Sequence, residues 1–209
     1  MEEYLNEKEQ WERVLAWLRE QGPSIVAGVA VAAAVFGGWH YWQNRTQQRN
    51  LAAATRYEQI IDAFSHDDVN GGFRLADELV KTYPHTAYAD QANLAVARIQ
   101  VENKQLDPAA VRLRQVLDST SDAELALIAR LRLARVQLAQ GKADDALKTL
   151  DAAAPGAFAA RYAEVRGDAL LSKGDRDGAL KAYREARGSG ASTLDTGLLD
   201  LKIGELARS

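Results

Sequence analysis

Apolar and polar positions follow two different patterns along the chain. From Gln21 to Asn44 there is no Asp, Glu, Lys or Arg, and every position from Ile25 to Trp39 is apolar or glycine. From about Leu51 onward, apolar residues recur at helical spacing and are interrupted by turn signals. The pattern therefore predicts an all-α chain, with one N-terminal apolar helix followed by a series of amphipathic helices.

The apolar segment has the length of a membrane span. A helix from Ile25 to Trp42 contains 18 residues, which is roughly 27 Å at 1.5 Å per residue and close to a hydrocarbon core of about 30 Å. Trp39, Tyr41 and Trp42 cluster at its far end, where aromatic rings favour the headgroup level. Pro23 falls where the first turn of a helix tolerates proline. We predict a transmembrane helix; a buried helix of a soluble protein is the alternative.

A cleaved signal peptide would produce a similar apolar run. Such a peptide has a short basic start and small residues just after the apolar run. Here the start is acidic, and the run ends in Trp39-His40-Tyr41-Trp42. We therefore predict an uncleaved signal anchor at residues 23–43. It follows a short acidic tail at 1–22 and precedes a domain at 44–209.

Basic residues flanking the apolar segment do not decide its orientation. Lys8, Arg13 and Arg19 precede it, and three arginines follow it within about twenty residues. The positive-inside count is therefore a tie. Long domains translocate largely regardless of charge, so a location of residues 45–209 on the far side of the membrane is permitted.

Small residues recur within the apolar segment. Ala30, Ala34 and Gly38 are spaced by four residues and lie along one line of a helix. Lines of small residues let another transmembrane helix approach closely, because helices in lipid associate by packing. The pattern predicts lateral packing at these three positions; an alanine-rich anchor without a partner is the alternative.

A repeat of about 33 residues runs through the second half of the chain. Small, turn-forming and large apolar residues recur in the pairs Ala134–Gly167, Gly141–Gly174, Ala146–Ala179, Leu150–Tyr183 and Ala153–Ala186. An earlier copy, residues 94–101, parallels residues 131–138 with a shift of 37. Self-similarity at a period of roughly 20–50 residues indicates stacked structural units.

Each unit is predicted to be a helical hairpin. A small residue in its first helix lets the second helix cross closely, and Gly141 or Gly174 lies in the turn, where a positive φ costs glycine little. Alanine followed four residues later by a large side chain resembles the second half of the tetratricopeptide pattern. The usual tryptophan and tyrosine of the first half are absent. The sequence therefore predicts a degenerate tetratricopeptide-like solenoid, with an ordinary helical bundle as the alternative.

Both ends of this array also have predicted structure. Upstream, residues 51–64 and 73–83 make a further hairpin around a polar loop at 66–72. Downstream, Ser192 or Thr193 can N-cap a final helix. A solenoid needs a terminal helix to cover its last apolar face, and we expect the C-terminal helix to do so.

Composition argues against several kinds of chemistry. The 209 residues include no cysteine and 3 histidines, and the net charge is −3. Disulfides, thiol catalysis and thiolate-bound zinc are excluded. No two histidines have metal-ligand spacing on one helix face, and no phosphate loop, dinucleotide fingerprint or nucleophile elbow is present. We predict a protein that is not an enzyme, with no metal or cofactor site and no nucleic-acid partner.

Five segments together resemble one family. They are Glu7–Gln10, Gly38–Trp42, Leu131–Gln137, Ala146–Asp151 and Arg166–Asp175. Over essentially its whole length the chain resembles the YfgM-like family of ancillary SecYEG translocon subunits in Gram-negative bacteria. The resemblance implies a cytoplasmic tail, one inner-membrane span and a periplasmic tetratricopeptide-like domain. It also implies association with SecYEG and with a membrane-anchored periplasmic chaperone of the PpiD type.

Tetratricopeptide proteins in general line a groove with the first helix of each hairpin. That resemblance places Arg98, Arg135, Glu164 and Asp168 on a protein-binding groove; a solvated charged face is the alternative. We expect a membrane-tethered periplasmic adaptor that binds a chaperone or emerging client polypeptides beside the translocon. The alternative is an envelope scaffold in cell division or stress signalling, unrelated to secretion.

Overall fold

The computed structural model describes residues 3–189 and 196–208, and every regular element within them is helical, as the sequence predicts. The α-helices are α1 (Glu3–Ser65), α2 (Val69–Thr82), α3 (Ala87–Glu102), α4 (Leu106–Ser119), α5 (Ala123–Ala139), α6 (Ala143–Asp151), α7 (Ala159–Ser172), α8 (Arg176–Gly188) and α9 (Thr196–Ala207). A 3₁₀ turn, Gly156–Phe158, precedes α7. The chain forms two compact units, Met1–Arg49 and Asn50–Ser209.

The backbone of the first unit is helical through Pro23, so the prediction that this proline lies in a first helical turn is wrong. The segments Gln10–Gly22 and Val26–Ser65 are bent by 53° relative to each other. A proline inside a helix lacks an amide donor and clashes with the preceding turn, which bends the helix. Among the described residues, no single helix passes as a membrane span by length and hydropathy, and only this bent pair passes together.

In its described residues, the second unit contains four hairpins followed by α9: the C-terminal part of α1 with α2, α3 with α4, α5 with α6, and α7 with α8. Each hairpin turn contains one residue with a left-handed backbone: Asp67, Lys104, Gly141 and Gly174, with φ of 60°, 59°, 75° and 84°. The next amide along then returns to the preceding helix, as when Lys142 N donates to Gln137 O at 2.8 Å. The glycine turns are therefore confirmed, and two more turns have the same geometry without glycine.

Each hairpin is held to the next helix by its own apolar cluster. Ile60, Leu79 and Val96 join α1 and α2 to α3. The other three clusters join α3 and α4 to α5, α5 and α6 to α7, and α7 and α8 to α9. A core that is renewed at each hairpin is the physical property of a solenoid, so the predicted tetratricopeptide-like array is confirmed and the simple bundle is not.

Small residues provide the close helix crossings that the repeat predicts. Ala134, Ala146 and Ala179 are fully buried, and Leu150 and Tyr183 fill the space beside them. Gly72 makes a similar contact earlier in the chain, because a β-carbon there would overlap the ring of Phe64.

The loop predicted at residues 66–72 is longer than the loop in the structure, because α2 begins at Val69. Residues 69–72 belong to the first turn of α2, where Asp68 accepts a hydrogen bond from Gly71 N at 2.9 Å.

Helix α9 covers the last hairpin. Leu199 is buried against α7 and α8, and Ile203 and Leu206 pack around it. α9 thereby occupies the position that the first helix of a further hairpin would take. The expected C-terminal cap is present, while the predicted N-cap residues Ser192 and Thr193 lie outside the described residues.

Candidate protein-binding groove

Three adjacent depressions follow the first helices of the hairpins. The α1/α3 depression has a volume of about 500 Å³ and is bounded by Ile61 and Leu94. The α3/α5 depression, of about 380 Å³, lies over Leu113 of α4. The α5/α7 depression, of about 390 Å³, is closed by the 3₁₀ turn at Phe158. We refer to these three depressions together as the groove.

Arginines connect the three depressions. Arg98 lines the α1/α3 and α3/α5 depressions, and Arg135 lines the α3/α5 and α5/α7 depressions. Arg132 lines all three. The depressions therefore share walls and form one continuous surface with a basic centre.

The two arginines predicted from the sequence each have an acidic neighbour. Arg98 Nε donates to Glu102 Oε1 at 2.8 Å on its own helix, and this contact raises the pKa of the Arg98 guanidinium. Arg135 approaches Glu164 of α7 at 3.9 Å, which is a loose ion pair. Both side chains line the groove, and their binding of a partner protein stays a prediction.

Arg132 is the groove residue that the sequence interpretation missed. Desolvation is the main cause of a lowered pKa of its guanidinium, and the nearby charges of Arg135 and Arg98 lower this pKa further. Within residues 3–189 and 196–208, no carboxylate lies within ion-pair distance of Arg132. A signal for it was available, because Arg132 precedes Arg135 by three residues and therefore shares its helix face.

Glu164 and Asp168, the two acidic residues predicted for the groove, line none of its depressions. They lie at the end of the array and hold α9. Lys202 Nζ is 3.4 Å from Glu164 Oε1 and 2.7 Å from Asp168 Oδ1. Tyr183 Oη donates to the same Asp168 oxygen at 2.7 Å. Their binding of a partner protein stays a prediction, whereas their contact with the terminal helix is observed.

The predicted packing positions Ala30, Ala34 and Gly38 are exposed in the first unit. A β-carbon on Gly38 would have no heavy atom within 4 Å. Larger apolar side chains around them, including Val35 and Phe36, are also exposed. The helix surface between Val26 and Trp39 is therefore apolar on all sides within the unit.

Among the described residues, no group of three His, Asp or Glu side chains has the arrangement of a metal site. His66 Nδ1 lies 3.5 Å from Asp62 Oδ1, and both side chains are about three-quarters exposed on the surface. The second unit, Asn50–Ser209, instead contains a groove with apolar walls and a basic centre. Such a surface suits recognition of a polypeptide.

Comparisons with known proteins agree with this architecture. The profile of the family described as tetratricopeptide repeat-like domain matches residues 15–208. The ancillary SecYEG translocon subunit of Escherichia coli K12 is 35% identical over 99% of this chain and 100% of its own length. The ancillary SecYEG translocon subunit of Haemophilus influenzae Rd is 29% identical over 97% of this chain and 98% of its own length. The crystal structure of MamA protein has a TM-score of 0.61 and 15% identity, and covers 75% of this chain and 81% of MamA.

Proposed function

The chain belongs to the tetratricopeptide-like family of ancillary SecYEG translocon subunits, and from this membership we propose that it is a non-catalytic adaptor of the bacterial inner membrane. It associates with the SecYEG translocon and binds other proteins through the groove. The observation that carries this proposal is the continuous groove along the first helices, with apolar walls and Arg132 at its centre.

Residues 23–43 anchor the adaptor in the membrane. The exposed apolar surface of this segment supports the proposal: Val26, Phe36 and Trp39 are 68%, 73% and 62% exposed. A helix that is apolar all round needs either a protein core or lipid to cover it. Ala30, Ala34 and Gly38 then provide a line on which a helix of the channel packs closely.

The tail at residues 1–22 lies in the cytoplasm and the domain at 44–209 in the periplasm. The tied count of basic residues gives this orientation no support, so it rests on the family resemblance. In this location, emerging polypeptides pass the groove, and tethering raises the effective concentration of even a weak binding site. The partners are a membrane-anchored periplasmic chaperone of the PpiD type and client polypeptides.

Two measurements in cells test attachment and orientation. After alkaline carbonate washing, the full chain is expected to stay in the membrane fraction. In spheroplasts, added protease is expected to digest the domain at 44–209 while leaving the tail protected. Release of the intact chain by carbonate, or a protease-resistant domain in intact spheroplasts, would contradict the proposal.

Site-specific photocrosslinking tests the partners. A photoreactive amino acid at Ala34 is expected to capture a subunit of the translocon. The same amino acid at Arg135 is expected to capture the chaperone or client chains. Arg114, an exposed residue of α4 outside the groove, is the matched control position. Adducts with division or stress-signalling proteins at Arg135, without translocon adducts at Ala34, would favour the envelope-scaffold alternative.

A further inference from the structure

The three arginines of the groove differ in whether a carboxylate lies beside them. Arg98 and Arg135 already have carboxylates beside them at 2.8 and 3.9 Å, in Glu102 and Glu164. Arg132 has none among the described residues, although it lies near both of the other guanidinium groups and lines all three depressions. Glu164 is shared with Lys202, and Arg132 has no acidic neighbour of its own, so the positive charge around Arg132 is not fully compensated by described carboxylates. That position favours a negatively charged group supplied from outside.

The walls on either side of Arg132 are apolar and accessible. Ile61 in the α1/α3 depression and Val101 in the α3/α5 depression are 41% and 40% exposed. Leu94, which is buried, borders both depressions from below. Exposed aliphatic side chains that line a concavity gain stability when another apolar group covers them.

The row of depressions fits an elongated occupant better than a compact one. Each depression has a volume within the range of about 300–1,000 Å³ that is typical of small-ligand sites, and three of them adjoin along the groove. In an extended polypeptide, alternate side chains point to the same side. One such segment can therefore place an apolar, an acidic and an apolar side chain into consecutive parts of the groove.

We propose that the groove binds an extended polypeptide segment in which an acidic side chain, seated on Arg132, is flanked at alternate positions by apolar side chains. This inference rests on the proposed function, because it specifies what the adaptor recognises in its partner. Arg132 acts as the specificity-determining residue: its guanidinium can donate two parallel hydrogen bonds to one carboxylate. The apolar walls contribute affinity without selecting a sequence in detail.

Peptide binding to the full chain in detergent micelles tests the inference. The probe is a fluorescent peptide with blocked termini whose centre reads Leu-Ser-Asp-Ser-Leu, and its counterpart has Asn in place of Asp. By fluorescence anisotropy, the wild-type chain is expected to bind the Asp peptide about tenfold more tightly than the Asn peptide, as is typical when a hydrogen bond to a charged group is lost. Arg132→Gln is expected to remove this preference, and Arg132→Lys to restore part of it.

Arg114→Gln is the matched control, because it removes an exposed arginine outside the groove and is expected to leave the preference unchanged. Equal binding of both peptides by the wild-type chain, or no binding of either, would overturn the inference even if Arg132→Gln failed to fold. Displacement of the Asp peptide by phosphatidylglycerol micelles but not by unlabelled peptide would assign the groove to lipid.

The photocrosslinking experiment separates this inference from the proposed function. Partner crosslinks at Arg135 together with equal binding of the Asp and Asn peptides would contradict this inference alone. Absence of partner crosslinks at Arg135 would contradict the proposed function.

Discussion

The ring of Tyr183 packs directly on the backbone of Gly167. A β-carbon on Gly167 would lie at 3.0 Å or less from three atoms of that ring. Tyr183 is fully buried at this contact, which closes the hairpin of α7 and α8. The contact explains why a residue with poor helix propensity stands in the middle of α7.

Gly167→Ala is therefore expected to destabilise the protein despite the better helix propensity of alanine. The added methyl group forces the buried ring to move, and overpacking of this kind typically costs about 1–3 kcal/mol. Urea unfolding followed by circular dichroism measures the change. The control is Gly204→Ala in α9, where no heavy atom lies within 4 Å of the new β-carbon; there we expect a gain of up to about 1 kcal/mol. A stabilised Gly167→Ala variant would contradict the prediction.

The preceding hairpin suggests how the overlap can be relieved. It has Ala134 and Leu150 at the positions of Gly167 and Tyr183, and both are buried. The double variant Gly167→Ala/Tyr183→Leu is thus expected to lose less stability than the sum of its two single variants. Additive losses in a double-mutant cycle would show that the two positions are not coupled.

Lys202→Met is expected to loosen α9 selectively. The substitution keeps an apolar stem but removes the ammonium group that contacts Glu164 and Asp168. Because these side chains are only partly buried, the loss of unfolding free energy should be on the order of 1 kcal/mol. Hydrogen exchange should accelerate in α9 and not in α5. Lys181→Met, at an exposed position of α8, is the control, and equal effects of the two variants would contradict a specific role for Lys202.

Stability should fall at alkaline pH through buried tyrosines. Burial is the main cause that raises the pKa of Tyr183, and the hydrogen bond to Asp168 and the charges of Asp168 and Glu164 raise it further. Burial also raises the pKa of Tyr57 and Tyr162. Since an unfolded tyrosine ionises near a pKa of about 10, the unfolded chain loses its protons first and unfolding becomes more favourable above that pH.

Tyr183→Phe cannot ionise, so its unfolding free energy should decline less steeply above about pH 10 than that of the wild-type chain. Below that pH the two curves should run parallel. Urea unfolding at successive pH values, with tyrosinate absorbance recorded in parallel, checks both statements. Curves that stay parallel at alkaline pH would show that Tyr183 makes no contribution to the pH dependence.

Ala34→Leu/Gly38→Leu is expected to weaken co-purification of the chain with the translocon. Larger side chains keep the proposed span apolar and so preserve membrane insertion, but they prevent close approach of a neighbouring helix. Immunoblotting of detergent-solubilised complexes measures the first effect and carbonate extraction the second. Val31→Leu in the same segment is the control. Unchanged co-purification would remove the packing hypothesis.

The hairpin array could be predicted because its chemistry is local. Gly141 and Gly174 in the turns and the pair Ala146 and Ala179 in the second helices repeat at a fixed interval, and a backbone or packing requirement at one unit recurs at the next. Lys104 has the same turn conformation but was hidden, since a lysine gives no signal for a positive φ. Pro23 was misplaced because helix periodicity cannot tell a bent continuation from a new start.

The groove was only half predictable for a different reason. Arg98 and Arg135 could be placed by their repeat position, and Arg132 by its helix face. No periodicity, however, indicates that Lys202 returns to Glu164 and Asp168, because the partners are separated by 38 and 34 positions in the chain. Which charges are compensated is decided by such long-range contacts. The distinction between residues that line the groove and residues that hold α9 therefore required the three-dimensional arrangement.

Helix α9 has a further consequence for behaviour at high concentration. Without α9, the hairpin of α7 and α8 would expose an apolar surface that includes Ala163, Ala179 and Ala186. The first hairpin of another molecule, formed by α1 and α2, could then pack on that surface. Repetition of that head-to-tail addition would generate open-ended fibres. Leu199 of α9 covers this apolar surface within each molecule. Other copies of the chain therefore cannot pack on it, and a high local concentration of the protein does not lead to polymerisation.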